Sequence, residues 1–170
     1  MARVAVRFGL GTIVVTGLIA GVVFAAFEML AAAVLMGPEA APMPLRMIGA
    51  MVLGAPALEP GYSLATAALA GGIVHLILSV LFAGIFVATA PPILEATGLG
   101  TTRGSLALAG IAFGIVLWLV NFYVIAPAAG WTWFPEGTDP VVQFLAHALF
   151  FGCTAGWMLD RGRPAIGPPL

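Results

Sequence analysis

Four long apolar segments follow one another along the chain, separated by short breaks that contain polar residues or proline. They cover residues 8–36, 61–90, 104–126 and 141–159. Each segment reaches or exceeds the roughly 20 residues that an α-helix needs to cross a hydrocarbon core about 30 Å thick. The pattern therefore predicts an all-α integral membrane protein, a bundle of four transmembrane helices.

The breaks between these segments contain residues that are expected to end helices. Proline has no backbone N–H and its ring clashes with the carbonyl group four residues earlier, so each proline is predicted to stop the helix before it. The break positions are Gly37 with Pro38, Pro91 with Pro92, Pro127, and Pro140.

Most connections are short, so residues 1–170 are predicted to form a single transmembrane domain. The longest connection is residues 37–60, and within it residues 44–53 are apolar enough to form a short interfacial helix on the membrane surface. A re-entrant hairpin is the alternative for the same segment. The aromatic segment 131–136 predicts either an anchor at the membrane interface or an edge on which a partner docks.

The composition identifies lipid as the solvent of most of this chain. Hydrophobic residues make up 62% and charged residues only 8%, with a mean hydropathy of +1.13. A soluble domain carries roughly a quarter charged residues. The chain contains no lysine and has a net charge of −1, so it lacks the basic surface on which nucleic-acid-binding proteins depend.

The arginines predict the direction of the helices. In a four-span topology one side carries all of them but one, and the other side carries only Arg46. The first set is Arg3, Arg7, Arg103, Arg161 and Arg163. Positive residues near the ends of spans are retained in the cytoplasm. Both termini are therefore predicted to be cytoplasmic, with the helices running up, down, up and down.

Small residues spaced four apart predict that the helices pack closely. Such spacing places both residues on one face of a helix and lets two backbones approach each other. The pairs are Gly17 and Gly21, Gly110 and Gly114, and Gly152 and Gly156, and Gly71 belongs to a longer stripe with Ala67, His75, Ser79 and Ala83. The stripes pack within one bundle or against a second copy of the chain.

A few polar side chains lie within the apolar segments, and each segment contributes one. They are Glu28, His75, Asn121 and His147. At 1.5 Å per residue, His75 lies near the middle of its span, His147 about 5 Å toward the outer face, and Glu28 and Asn121 about 9 Å toward it. Ionisable groups at this depth face a bundle interior, a partner or water. The four residues are therefore predicted to form one intramembrane polar cluster.

This cluster has three interpretations. The first is structural, with Glu28 paired to a histidine and Asn121 bonded across the bundle. The second is a cofactor site in which His75 and His147 hold a b-type haem or another metal, with Gly71 and Ser79 leaving room for a flat ring. The third is a small proton or solute conduit that uses Glu28, His75 and His147.

No sequence motif of a known catalytic site occurs in the chain. It has no nucleophile elbow, no His-Glu-x-x-His and no phosphate-binding loop. The leading hypothesis is therefore a small, non-enzymatic accessory or structural subunit. It would associate within the bilayer with copies of itself or with a larger complex, respiratory or photosynthetic.

Three short motifs carry a resemblance to known proteins. They are Gly72-Ile73-Val74-His75 in the second span, Asn121 followed by Pro127 in the third, and Phe144-Leu145-Ala146-His147 in the fourth. Together they resemble a group of small four-span bacterial membrane proteins. The resemblance implies that the histidine, asparagine and histidine positions act together, and it implies no particular activity or cofactor. We therefore expect a multi-pass protein of the bacterial inner (cytoplasmic) membrane.

Overall fold

The structure is a computed structural model that describes residues 8–161. Most of this range is helical and it contains no strand, which confirms the all-α prediction. Four helices are long and apolar enough to cross a membrane, as in a multi-pass membrane protein. They are α1 (Leu10–Met36), α3 (Leu64–Ala96), α4 (Arg103–Ala128) and α6 (Pro140–Asp160). Arg3, Arg7 and Arg163, on which part of the predicted direction rests, lie outside the described residues.

Two shorter helices lie in the connections. Helix α2 (Met43–Leu53) follows α1, and α5 (Trp133–Gly137) lies between α4 and α6. Helix α1 ends at Gly37, whose φ of 108° is in the region that favours glycine. Helix α6 begins at Pro140, where the carboxylate of Asp139 accepts hydrogen bonds from the first backbone N–H groups of the helix.

The prediction that every proline stops its helix is wrong at Pro91, Pro92 and Pro127. Helix α3 continues through Pro91 and Pro92 to Ala96, six residues beyond the predicted end at residue 90. Its last turns stay helical because Leu94 is buried in the main hydrophobic core, so tertiary packing outweighs the lost backbone bonds. Pro127 likewise lies inside α4, which ends at Ala128.

The glycine stripes bring the helices into direct backbone contact. Gly17 of α1 lies against Ser79 and Val80 of α3, and Gly21 lies against Ser79 and His75, so the two helices run antiparallel. A Cβ atom on Gly17 would stand only 2.5 Å from the Cα atom of Val80.

Helices α4 and α6 pack in the same way. Gly110 lies against Gly152 and Gly156, and Gly114 lies against His147, which again makes the pair antiparallel. Each predicted stripe therefore contacts another helix of the same chain, which leaves none of these glycines as a surface for a second copy.

Helix α2 packs along the first part of α3. Gly49 lies against Ala67, and the carbonyl group of Leu45 lies against Gly71, so α2 runs antiparallel to α3. Gly71 is seven residues into α3, or about 10 Å along its axis. The start of α2 thus lies beside α3 rather than beyond its first residue, and the interfacial and re-entrant alternatives both stay predictions. We call this end of the bundle the α2 end.

Hydrogen bonds connect α2 to the neighbouring segments. The guanidinium group of Arg46 donates to the carbonyl oxygens of Ala57, at 2.7 Å, and Glu59. The indole N–H of Trp133, in α5, donates to the carbonyl oxygen of Met47 at 3.2 Å. The aromatic segment predicted to be an anchor or a docking edge therefore contacts α2 of its own chain.

The Trp133→Phe substitution should lower the free energy of unfolding by about 1 kcal/mol, because it removes one hydrogen bond and leaves the Met47 carbonyl unpaired. Reversible unfolding in mixed detergent micelles, followed by tryptophan fluorescence, would measure it. Trp118→Phe is the matched control, since the buried indole N–H of Trp118 has no partner among the described residues. That variant should be as stable as the native chain or more so, and equal losses in both variants would contradict the assignment.

Candidate functional site

All four predicted polar residues line one cavity of about 270 Å³ inside the bundle. Glu28 comes from α1, His75 from α3, Asn121 from α4 and His147 from α6. A fifth polar residue, Gln143, lines the same cavity. The wall near the α2 end is completed by residues of α2 and of the segment before α6. These are Pro44, Met47, Ile48, Met51, Trp131, Phe134 and Thr138.

The carboxyl group of Glu28 is the least satisfied polar group of the site. Its residue is only 5% exposed, and its Oε1 atom has no hydrogen-bond partner among the described residues. The side chain of Gln143 lies close to this carboxyl group. A buried oxygen without a partner costs about 1–3 kcal/mol, so the position of this carboxyl group is unfavourable by itself.

Each histidine is bonded through one ring nitrogen to a backbone carbonyl group. Nε2 of His75 lies 2.8 Å from the carbonyl oxygen of Gly21, and Nδ1 of His147 lies 2.8 Å from that of Gln143. A carbonyl oxygen can only accept, so these two nitrogens carry the hydrogen atom. In the neutral ring, the other nitrogen of each histidine is then a free acceptor.

The ring of Phe24 contacts both imidazole rings. Its centroid lies 5.2 Å from that of His75 and 4.9 Å from that of His147. A haem held by both histidines would need one nitrogen of each aimed at a single iron atom. Nε2 of His75 is engaged by the carbonyl group of Gly21 and Phe24 contacts both rings, so this arrangement does not by itself support the haem interpretation, which stays a prediction. Among the described residues, no group of three or more His, Cys, Asp or Glu side chains could hold a metal ion.

Two widened helical turns border the cavity. Residues Asn121–Ile125 and Ala146–Cys153 are π-helical, so one segment contains Asn121 and the other His147. In the first, the N–H of Ala126 bonds the carbonyl oxygen of Asn121, five residues earlier, directly before Pro127. Proline excludes the normal carbonyl position four residues before it, which accounts for the wider turn. Such turns are frequent at functional sites.

Sequence reasoning did not assign Gln143 or Phe24 to the site. Gln143 is four residues before His147, and this spacing on a helix places both on one face, so a signal was present. Phe24 is likewise four residues before Glu28, but one phenylalanine among many apolar residues carries no distinguishing signal. The part of the wall that α2 provides depends on how α2 packs, which the sequence does not specify.

Comparison with known proteins does not assign this chain to a family or a function. No family model, curated protein or solved structure matches this chain. Its function must therefore be argued from the cavity itself.

Proposed function

We propose that this protein binds a small, largely apolar molecule in the cavity between its transmembrane helices. The proposal is carried by the buried Oε1 atom of Glu28, which lines the cavity and has no hydrogen-bond partner within residues 8–161. A ligand that bonds this oxygen would remove the cost of leaving it unpaired.

The size and lining of the cavity support this proposal. Its volume of about 270 Å³ is close to the lower end of the range for small-molecule sites, about 300–1,000 Å³. Such sites combine a mostly apolar wall with a few polar groups that orient the ligand. Here Phe24, Phe122 and Phe151 belong to the apolar wall, and Glu28 and the two histidines are the polar groups.

We further propose the direction that the arginines predict, with both termini in the cytoplasm of a bacterial cell and the α2 end on the outer side of its inner membrane. Arg103 supports this direction because it lies at the opposite end of the bundle, where it pairs with Asp160 at 2.9 Å. The cavity then lies toward the outer side.

We propose that the protein binds this molecule without changing it chemically, in line with the non-enzymatic prediction. The solute-conduit prediction uses the same residues, Glu28, His75 and His147, and a binding cavity is its first requirement. The accessory-subunit prediction stays a proposal with less support, because the glycine stripes that motivated it pack within the chain.

Blocking the cavity tests the proposed function. Four aromatic probes of nine or ten non-hydrogen atoms would be titrated into the protein in lipid nanodiscs, with empty nanodiscs as the baseline. The probes are 2-phenylethylamine, phenyltrimethylammonium, 2-phenylethanol and phenylacetate. At least one should bind saturably to the native chain, and Ala126→Phe should weaken it at least about tenfold, because Ala126 is 3% exposed and lines the cavity.

Leu30→Phe is the matched control, because Leu30 is 63% exposed on the face of α1 turned away from the bundle. It should leave probe affinity unchanged. If Ala126→Phe does not fold, Ile48→Trp in α2 places bulk in the same cavity from another wall. The proposed function is wrong if no probe binds saturably, or if the blocked and native proteins bind equally well.

A further inference from the structure

We propose that the ligand is an organic cation, a protonated amine whose N–H group bonds the carboxylate of Glu28 while its apolar part fills the rest of the cavity. This inference rests on the proposed function and names its ligand class. Three properties of the cavity support it: its hydrogen-bond acceptors, its charge and its aromatic wall.

When Glu28 is ionised, the free hydrogen-bonding atoms of the three ionisable side chains are acceptors, whereas the amide groups of Asn121 and Gln143 in the same lining offer both donors and acceptors. Oε1 of Glu28 is unpaired, and the N–H groups of both neutral histidines are already used by backbone carbonyl groups. A carboxylate has acceptor sites only, and a neutral imidazole with its N–H engaged has one acceptor site left. A ligand that supplies donors would satisfy these atoms, whereas one that supplies only acceptors would leave them unpaired.

The charge of the cavity points the same way. Of the residues that the structure describes, Glu28, His75 and His147 are the ionisable ones that line it, and no arginine among them does. Arg46, which lies in α2, donates its hydrogen bonds to the carbonyl groups of Ala57 and Glu59 and not to a group of the cavity. A buried carboxylate needs an opposite charge, so a cation would stabilise its ionised form and an anion would oppose it.

Aromatic rings provide the remaining contacts. Phe24, Phe122 and Trp131 line the cavity together with Glu28. The face of an aromatic ring attracts cations, by about 2 kcal/mol in a desolvated site, and also packs against apolar groups. A cavity of about 270 Å³ is close to the lower end of the range for small-molecule sites, so the ligand should be small.

The order of the four probe affinities tests the inference on the native chain alone. 2-Phenylethylamine should bind at least about tenfold more tightly than 2-phenylethanol, which has the same shape but no charge. Phenyltrimethylammonium, a cation without an N–H donor, should be intermediate, and phenylacetate should be weakest. The cation inference is overturned if 2-phenylethanol or phenylacetate binds as tightly as the amine.

Substitution of Glu28 tests the residue that carries the inference. Glu28→Gln keeps the shape but removes the negative charge, so it should weaken 2-phenylethylamine about tenfold and change 2-phenylethanol by less than about twofold. The control is Glu136→Gln, which removes an exposed carboxylate outside the cavity and should change neither affinity.

The two proposals fail in different ways. If the probes bind saturably but with equal affinity, and Glu28→Gln affects none of them selectively, the cavity binds ligands and the cation inference is wrong. If no probe binds, the proposed function itself is wrong. The probe order on the native chain decides the inference even if Glu28→Gln does not fold.

Discussion

Gly71→Ala should destabilise the protein by about 1–3 kcal/mol, a large effect for one methyl group. The new Cβ atom would collide with the carbonyl oxygen of Leu45 and lie 2.9 Å from the backbone nitrogen of Gly49. Both obstacles are backbone atoms, so α2 must move away from α3 as a unit. Reversible unfolding in mixed micelles would measure the loss of stability. Probe affinity should also fall, because α2 forms part of the cavity wall.

Gly72→Ala, the neighbouring substitution, should have the opposite sign. A Cβ atom on Gly72 meets nothing within 4 Å, and alanine favours the helix interior over glycine by up to about 1 kcal/mol. The two variants share composition and position along α3 and differ only in the face they occupy. If both change the free energy of unfolding in the same direction, α2 is not packed on α3 as described.

Phe24→Ala should have the largest effect on stability, a loss of about 3 kcal/mol. Phe24 is 7% exposed, belongs to the main core and contacts both imidazole rings. Its removal leaves a void that the surrounding backbones, held close by glycine contacts, cannot fill. We expect the lower end of the range known from soluble proteins, because the unfolded reference state in lipid also provides apolar contacts.

Leu30→Ala is the control for this prediction. Leu30 lies on the same helix but is 63% exposed, so its truncation creates no internal void and should change stability by less than about 0.5 kcal/mol. Unfolding under identical conditions would compare the two variants. Phe24→Ala should also enlarge the cavity and so weaken selection among probes by size. Equal stability losses for both variants would mean that Phe24 is not a core residue.

The depth of the polar residues could be predicted from the sequence, and their surroundings could not. Counting residues from the middle of each span placed Glu28, His75, Asn121 and His147 in a narrow layer, and the structure has all four on one cavity. The rise per residue of an α-helix is constant, so depth follows from position alone. The rotation of each helix is set by its neighbours, which is why the contact of Phe24 with both histidines was not foreseen.

Some helix ends could likewise be predicted from the sequence, and others depend on tertiary packing. The ends that coincide with Gly37 and Pro140 follow local rules, since glycine with positive φ and proline at the first helical position are local preferences. The helix end predicted before Pro91 was wrong because Leu94, beyond it, is buried in the core. Local rules predict an end correctly unless packing on the far side of the break is stronger.

By itself, the sequence determined that the chain is all helical, with four segments able to cross a membrane. A long apolar segment in lipid must pair its own backbone N–H and C=O groups, because leaving them exposed to lipid is costly, and an α-helix achieves this within one segment. Only the tertiary structure decided that the glycine stripes pack within one chain, that α2 packs along α3, and that the Oε1 atom of Glu28 lines a cavity with no partner among the described residues. These depend on which faces of the helices meet, and many apolar faces of similar composition compete for each contact in lipid.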